Sequence, residues 1–250
     1  VFLGDFIDRG PDNRAVLTTV RSLIDAGRAR AIMGNHELNA LHFHTRDPQD
    51  GQPLRPHTAK NIRQHQSFLT EFPPGERQTL AALDWMRGLP LYLDMGDFRS
   101  VHACWAADGI RRLESLTGNG ILSEDQLIRA AGRAAGDEMF HLAEVITKGP
   151  EEPLPAGRGF TDKDGTMRHA VRVRWWNAVA RTWRDIAISV PSPDDLPDED
   201  LPATLAAQTY PASDPPVFFG HYWLSGTPVL QAANALCLDY SAGKDGPLVS

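Results

Sequence analysis

"VFLGDFIDRGPDNRAVL", residues 1–17, decides the fold. An apolar run, Val1–Leu3, stops at Gly4 and gives way to Asp5, Asp8 and Arg9 within a few positions. Apolar residues before a glycine read as a short buried strand, and the charges beyond them as a loop at its carboxyl end. The following "NRAVLTTVRSLIDAG" has helical periodicity, with Asn13 or Asp12 to cap it and Gly27 to end it. Residues 30–35, "RAIMGN", form a second apolar run, and "HELNALHFH" begins another helix. Strand, helix and strand at this spacing predict a βαβ unit whose two strands are parallel.

Further along, "HTAKNIRQHQSFLTEF" and "GERQTLAALDWMRGL" are helical, "LYLDMGDFRSVHA" is a hairpin turning at Met95–Asp97, and helices fill much of 106–148. The character then changes. More than half of the 19 prolines fall between Gly149 and Pro216, and Asp194–Asp200 is rich in acids. This region is expected to be a solvated loop or an ordered insertion. "DKDG" at 162–165 lacks the later oxygen ligands of a calcium loop and reads as a hairpin turn. "VFFGHY" and "ALCLDY" return as strands.

The ends of these runs repeat a theme. "VFLGD", "AIMGN", "RSVHA" and "VFFGH" each carry apolar residues up to a side chain able to bind a metal: Asp5, Asn35, His102 and His221. In three of the four a glycine stands immediately before that residue, which lets the backbone pass close to an ion. Alone, either histidine is well explained as a core residue, and Asn35 as a helix cap. Together they predict one site beyond the carboxyl ends of the strands of an open α/β sheet. Oxygen and nitrogen donors without sulfur suit Mn, Fe, Zn or Mg better than a soft metal or structural zinc.

Composition bounds the rest. With 250 residues, 42% hydrophobic and 23% charged, the chain resembles an ordinary soluble domain with ample core. A net charge of -7 argues against a general nucleic-acid binder, though bound cations leave an anionic substrate open. No apolar run reaches the roughly 18 residues that a membrane span needs. Cys104 and Cys237 fit no paired spacing and read as buried free thiols of a cytoplasmic protein.

"GDFIDRG" at 4–10, followed by "GNHE" at 34–37, resembles the PPP-type branch of the calcineurin-like metallophosphoesterases, with "VHA" at 101–103 and "GH" at 220–221 similar to its later histidine motifs. The resemblance implies a sandwich of two mixed β-sheets flanked by helices. It also implies in-line attack on phosphorus by a hydroxide bridging two divalent metals, manganese being the expected one. Asp5 would bridge the metals, and Asn35, His102 and His221 would complete the shell of the second. Asp8 would orient His36 as a general acid, and Arg9 would grip the phosphoryl group. The family's opening Gly-Asp-x-His-Gly is expected upstream of Val1. Residues 1–250 thus read as a single domain clipped at both ends, lacking its first strand and motif, with one metal site incomplete and an insertion around 149–216.

Substrate is less determined. The resemblance implies phosphorylated protein or nucleotide, while the net charge of -7 and the lack of a long apolar run argue against nucleic acid and membrane. A protein serine/threonine phosphatase is the first reading. A hydrolase of diadenosine polyphosphates or similar nucleotides is the alternative, and a catalytically silent phosphate-binding module is the third. "MRHAVRVRWWNAVARTWR" sets Arg172, Arg174, Arg181 and Arg184 among Trp175, Trp176 and Trp183. Arg172 and Arg174 are candidates for a further phosphate contact, with a tryptophan as a stacking surface. The competing reading is an amphipathic segment whose tryptophans pack on the sheet.

Overall fold

Phe2 and Ala31 pair in a parallel bridge in the computed structural model, which describes residues 1–162, 165–206 and 208–250. The Phe2 amide donates to the Arg30 carbonyl at 2.8 Å, and the Ile32 amide to the Phe2 carbonyl at 3.0 Å. Between them runs α1 (Asn13–Asp25), capped by the Asp12 carboxylate, which accepts from the Ala15 amide. The expected βαβ unit is present. Its strands pair through a single bridge, and the backbone turns off just beyond it, at Gly4 with φ +92° and, after the still extended Gly34, into a helix.

Helix α2 (Asn35–His44) starts directly at that break. Helices α3 (Ala59–Glu71) and α4 (Arg77–Arg87) follow, and β1 (Tyr92–Asp94) and β2 (Arg99–Val101) form the predicted antiparallel hairpin. Helices α5 (Ala107–Thr117), α6 (Glu124–Ala130) and α7 (Glu138–Lys148) then pack on one another. Near the end of the chain, β8 (Val217–Phe219) pairs in parallel with β2 and with β9 (Ala235–Cys237). The four-stranded sheet therefore runs β1-β2-β8-β9 and is mixed. Val101, Val217, Phe219 and Ala235 are fully buried in it, and the helical residues Leu41, Phe68, Leu113 and Ile146 join the same core. The architecture is α/β, a mixed sheet with flanking helices.

The described residues of 149–216 gather around a second, smaller core. Here β3 (Glu151–Pro153), β6 (Ala170–Val173) and β7 (Ala187–Ile188) form an antiparallel sheet, and β4 (Phe160–Thr161) pairs with β5 (Met167–Arg168). Short helices α8 (Trp183–Ile186) and α9 (Ala203–Ala206) complete the segment. Val171, Val173, Trp183 and Ile186 fill its centre. Burial alternates along β6, so the amphipathic period of the Arg/Trp stretch is that of a strand. The tryptophans are packing residues. Trp175 and Trp176 lie with their ring centroids 4.9 and 4.8 Å from that of Phe219 on β8, which corrects the reading of any of the three as an open stacking surface. Lys163 and Asp164 of the "DKDG" turn lie outside the described residues.

Candidate metal centre

Gly4 and Gly34 make the site possible. Gly4 has φ +92°, and a Cβ there would lie 2.4 Å from the Gly34 amide nitrogen. A Cβ on Gly34 would fall 2.4 Å from Asp5 Oδ1. The two strand-end loops thus cross in van der Waals contact, which only glycine allows on either side. Gly220 is different: a Cβ there would meet its nearest neighbours at 3.6 Å, an ordinary contact. The close-approach reading of the three glycines therefore applies to Gly4 and Gly34 and not to Gly220.

This crossing brings the four predicted donors together. Asp5, His102 and His221 place one ligand atom each within 4.8 Å of one another. Asn35 Oδ1 sits among them, 3.1 Å from His102 Nε2 and 2.8 Å from His221 Nδ1. His102 Nε2 also lies 3.3 Å from Asp5 Oδ1. The other nitrogen of His102 donates to the Leu3 carbonyl at 2.5 Å, which fixes the tautomer and turns the Nε2 lone pair toward two oxygen acceptors. Burial, then the nearby His102 and Arg172, hold His221 well below the usual imidazole range and therefore neutral. The oxygens of Asp5 and Asn35 and the two imidazoles crowd one small volume, and His221 Nε2 is buried there without a hydrogen-bond partner among the described residues. The donor set fits a divalent metal ion.

Asp5 and His221 themselves have φ of 59° and 73°, in the left-handed region that non-glycine residues seldom occupy. Strain of this kind persists only where surrounding structure fixes it. Glu37 is what fixes the first loop. It is completely buried, with Oε2 accepting from the Asp5 and Gly34 amides at 2.8 and 2.9 Å and Oε1 from the Phe6 amide at 2.7 Å. Burial, then the Asp5 carboxylate, push its carboxyl up to about 7, while the amide donors pull the other way.

Beside the four donors stands His36, 7% exposed. Its Nδ1 is 2.8 Å from Asp8 Oδ2. Burial works against its protonation, but the hydrogen bond to Asp8 and the charges of Asp5, Asp8 and Glu37 prevail and raise it above the ordinary 6.5. Asp8 is shared. Its Oδ1 lies 2.7 Å from His65 Nδ1, and His65 Nε2 lies 3.3 Å from His44 Nε2.

A family model, that of the calcineurin-like phosphoesterases, matches residues 1–141, more than half of the sequence. The chain belongs to that family. The family's match covers the βαβ unit, the crossing loops and His102, whereas His221 lies beyond it, two residues past the end of β8. Similar curated proteins are symmetrical bis(5'-nucleosyl)-tetraphosphatases. That of Ralstonia nicotianae is 30% identical over 112 residues, 41% of this chain and 31% of the relative. That of Janthinobacterium sp. is 35% identical over 104 residues, 41% and 32% of the two chains. That of Shewanella sp. (strain MR-7) is 28% identical over 131 residues, 50% and 42%. The chain thus spans between 31% and 42% of the length of these relatives. A solved structure, the cold-active protein-tyrosine phosphatase of a psychrophilic Shewanella sp., aligns over 97% of this chain and 61% of its own, with TM-score 0.44 and 16% identity.

The predicted phosphate contacts part ways. Arg9 is exposed and lines a cavity of about 600 Å³ together with Asp5, His102 and His221. Arg172, on β6 opposite Glu151, pairs loosely with that carboxylate at 3.8 Å and lies near enough to His221 to act on its charge. Arg174 is exposed, and its charge acts on Asp185. Three residues carried no role in the sequence: Glu37, His65 and Trp223. Glu37 stood in "GNHE" at the third helical position, where a side chain can return to the amides of the preceding turn. Trp223 closes "GHYW", two residues past His221. Nothing in the sequence marked His65, whose partner Asp8 is 57 residues away.

Proposed function

We propose that the protein is a metal-dependent phosphoric ester hydrolase. The observation that carries this reading is the pairing of His36 with Asp8 beside the converging Asp5, Asn35, His102 and His221. Asp5, Asn35, His102 and His221 would hold a divalent cation, manganese first among the candidates, which would supply Lewis acidity to polarise phosphoryl oxygens and acidify water. The chain's own groups do the rest. Arg9, on the cavity wall and without a carboxylate partner among the described residues, binds the phosphoryl oxygens through its planar fork and turns the ester for in-line displacement. Asp8 holds the His36 ring in place by accepting at Nδ1 and favours its protonated form. His36 then delivers a proton to the departing oxygen, so that a poor leaving group departs as an alcohol.

The substrates in view are phosphorylated proteins and nucleotides, and the names of the curated relatives favour nucleotides with an oligophosphate chain. The two buried free cysteines support a cytoplasmic setting. Among the described residues no helix is long and apolar enough to cross a membrane. Turnover of p-nitrophenyl phosphate with added manganese, lost on chelation and restored by the metal, tests the reading. Turnover that survives chelation and extensive dialysis overturns it.

A further inference from the structure

Resting on this hydrolase reading, the geometry points to a substrate-selecting wall made by Arg9, Trp223 and Lys244, which takes esters whose reacting phosphoryl group continues into a chain of further phosphoryl groups. The Arg9 guanidinium lies 5.3 Å from the centroid of the Trp223 ring, and the Lys244 ammonium 4.8 Å from that same centroid. Among the described residues, neither cation has a carboxylate partner. In a chain with 32 acidic and 25 basic residues, two cations gathered on one indole of the cavity lining, neither with a carboxylate partner among the described residues, make an anion site.

The wall is built rather than accidental. Trp223 has φ 52°, a strained conformation held because its amide donates to Asp239 Oδ2 at 2.9 Å. Asp239 Oδ1 accepts from the Ser241 amide at 3.1 Å, and the Ser241 hydroxyl donates to the Leu224 carbonyl at 3.0 Å. These bonds tie the loop after His221 to the loop that carries Lys244. Gly243 lies flush on the result, since a Cβ there would be 3.3 Å from Arg9 Cβ and 3.8 Å from Trp223 Cη2. Trp223 also lines the cavity shared by Arg9, Asp5, His102 and His221. A single phosphoryl group needs one clamp. Lys244 follows Ala242 and Gly243 of the cavity lining and lies against the same indole as Arg9, which places a second cation for the next anionic group in the chain.

Equilibrium binding tests this without relying on turnover. In excess manganese, calorimetry compares AMP with the β,γ-methylene analogue of ATP, which share a base and differ in phosphoryl count. Wild-type protein should bind the triphosphate analogue at least about tenfold more tightly. Lys244→Ala should remove most of that preference, Trp223→Ala should weaken it, and Lys244→Arg should keep it, with circular dichroism confirming folded protein. Equal affinity for the two nucleotides in wild type, or equal losses on both in Lys244→Ala, would overturn the proposal. So would a Lys244→Ala effect confined to a phosphoserine peptide with a neighbouring aspartate. Failure of the hydrolase reading shows separately, as absence of p-nitrophenyl phosphate turnover.

Discussion

Asp8 accepts from two imidazoles at once: His36 Nδ1 lies 2.8 Å from one carboxylate oxygen, and His65 Nδ1 2.7 Å from the other. With 4% of its side chain exposed, this carboxylate has almost no water to turn to. It is committed to the two rings, and the ring beside the four donors is thereby fixed in orientation and charge.

Removing that ring tests its part in the reaction. His36→Ala should lower kcat on an alkyl phosphate by about 10²–10⁴-fold, the usual worth of general acid catalysis. The loss should be smaller on p-nitrophenyl phosphate, whose leaving group needs little help, and manganese content should be nearly unchanged. Equal losses on both substrates would take proton donation away from His36.

The shared carboxylate also sets an acid dependence. Burial opposes ionisation of Asp8, but the hydrogen bonds from His36 and His65 outweigh it and hold the carboxyl below its ordinary 3.8. A depressed carboxyl contributes its stability in full above its unfolded value and loses it as pH falls through the folded one. Denaturant titrations of wild type and Asp8→Asn should therefore differ by a constant amount between about pH 6, below which His36 is protonated in both folded and unfolded wild type, and about pH 4. The gap should close below that. A gap that widens below about pH 4 contradicts the assignment.

Two glycine substitutions should part company. Gly4→Ala places a methyl group 2.4 Å from the Gly34 amide at φ +92°, so one loop must move. A cost of several kcal/mol, about 3 or more, and loss of manganese binding are expected. Gly220→Ala meets only 3.6 Å contacts and should retain its melting temperature and metal. Thermal unfolding with and without manganese checks both.

Glu37→Gln keeps the shape and removes one acceptor oxygen. One or more of the Asp5, Phe6 and Gly34 amides then faces an NH₂ group, at a cost of about 1–3 kcal/mol for each donor left unpaired. Because those amides aim Asp5, manganese affinity should fall about 10–100-fold. Chemical denaturation and metal titration measure the two effects independently.

Much of this candidate centre is legible in the sequence because its candidate donors sit at the ends of apolar runs, and a strand end leaves few directions for a side chain. Asp5, Asn35, His102 and His221 each announce themselves in that way. Long-range partners do not. His65 lies in a helix of ordinary composition, and its bond to Asp8 exists only because α3 packs beside α1. Trp223 and Lys244 meet through a loop closure mediated by Asp239, which no periodicity encodes. The Arg/Trp stretch misleads for a related reason. Alternating arginine and valine over Ala170–Val173 suits a two-sided strand, and its tryptophans belong to the core that the strand leads into.

The most direct test of the central claim is an anomalous difference map from crystals of the protein grown with manganese. A strong peak among Asp5 Oδ1, Asn35 Oδ1, His102 Nε2 and a ring nitrogen of His221, in a preparation that hydrolyses p-nitrophenyl phosphate, is the predicted result. A map from equally active crystals with no peak there, or with its manganese bound elsewhere, would contradict the account.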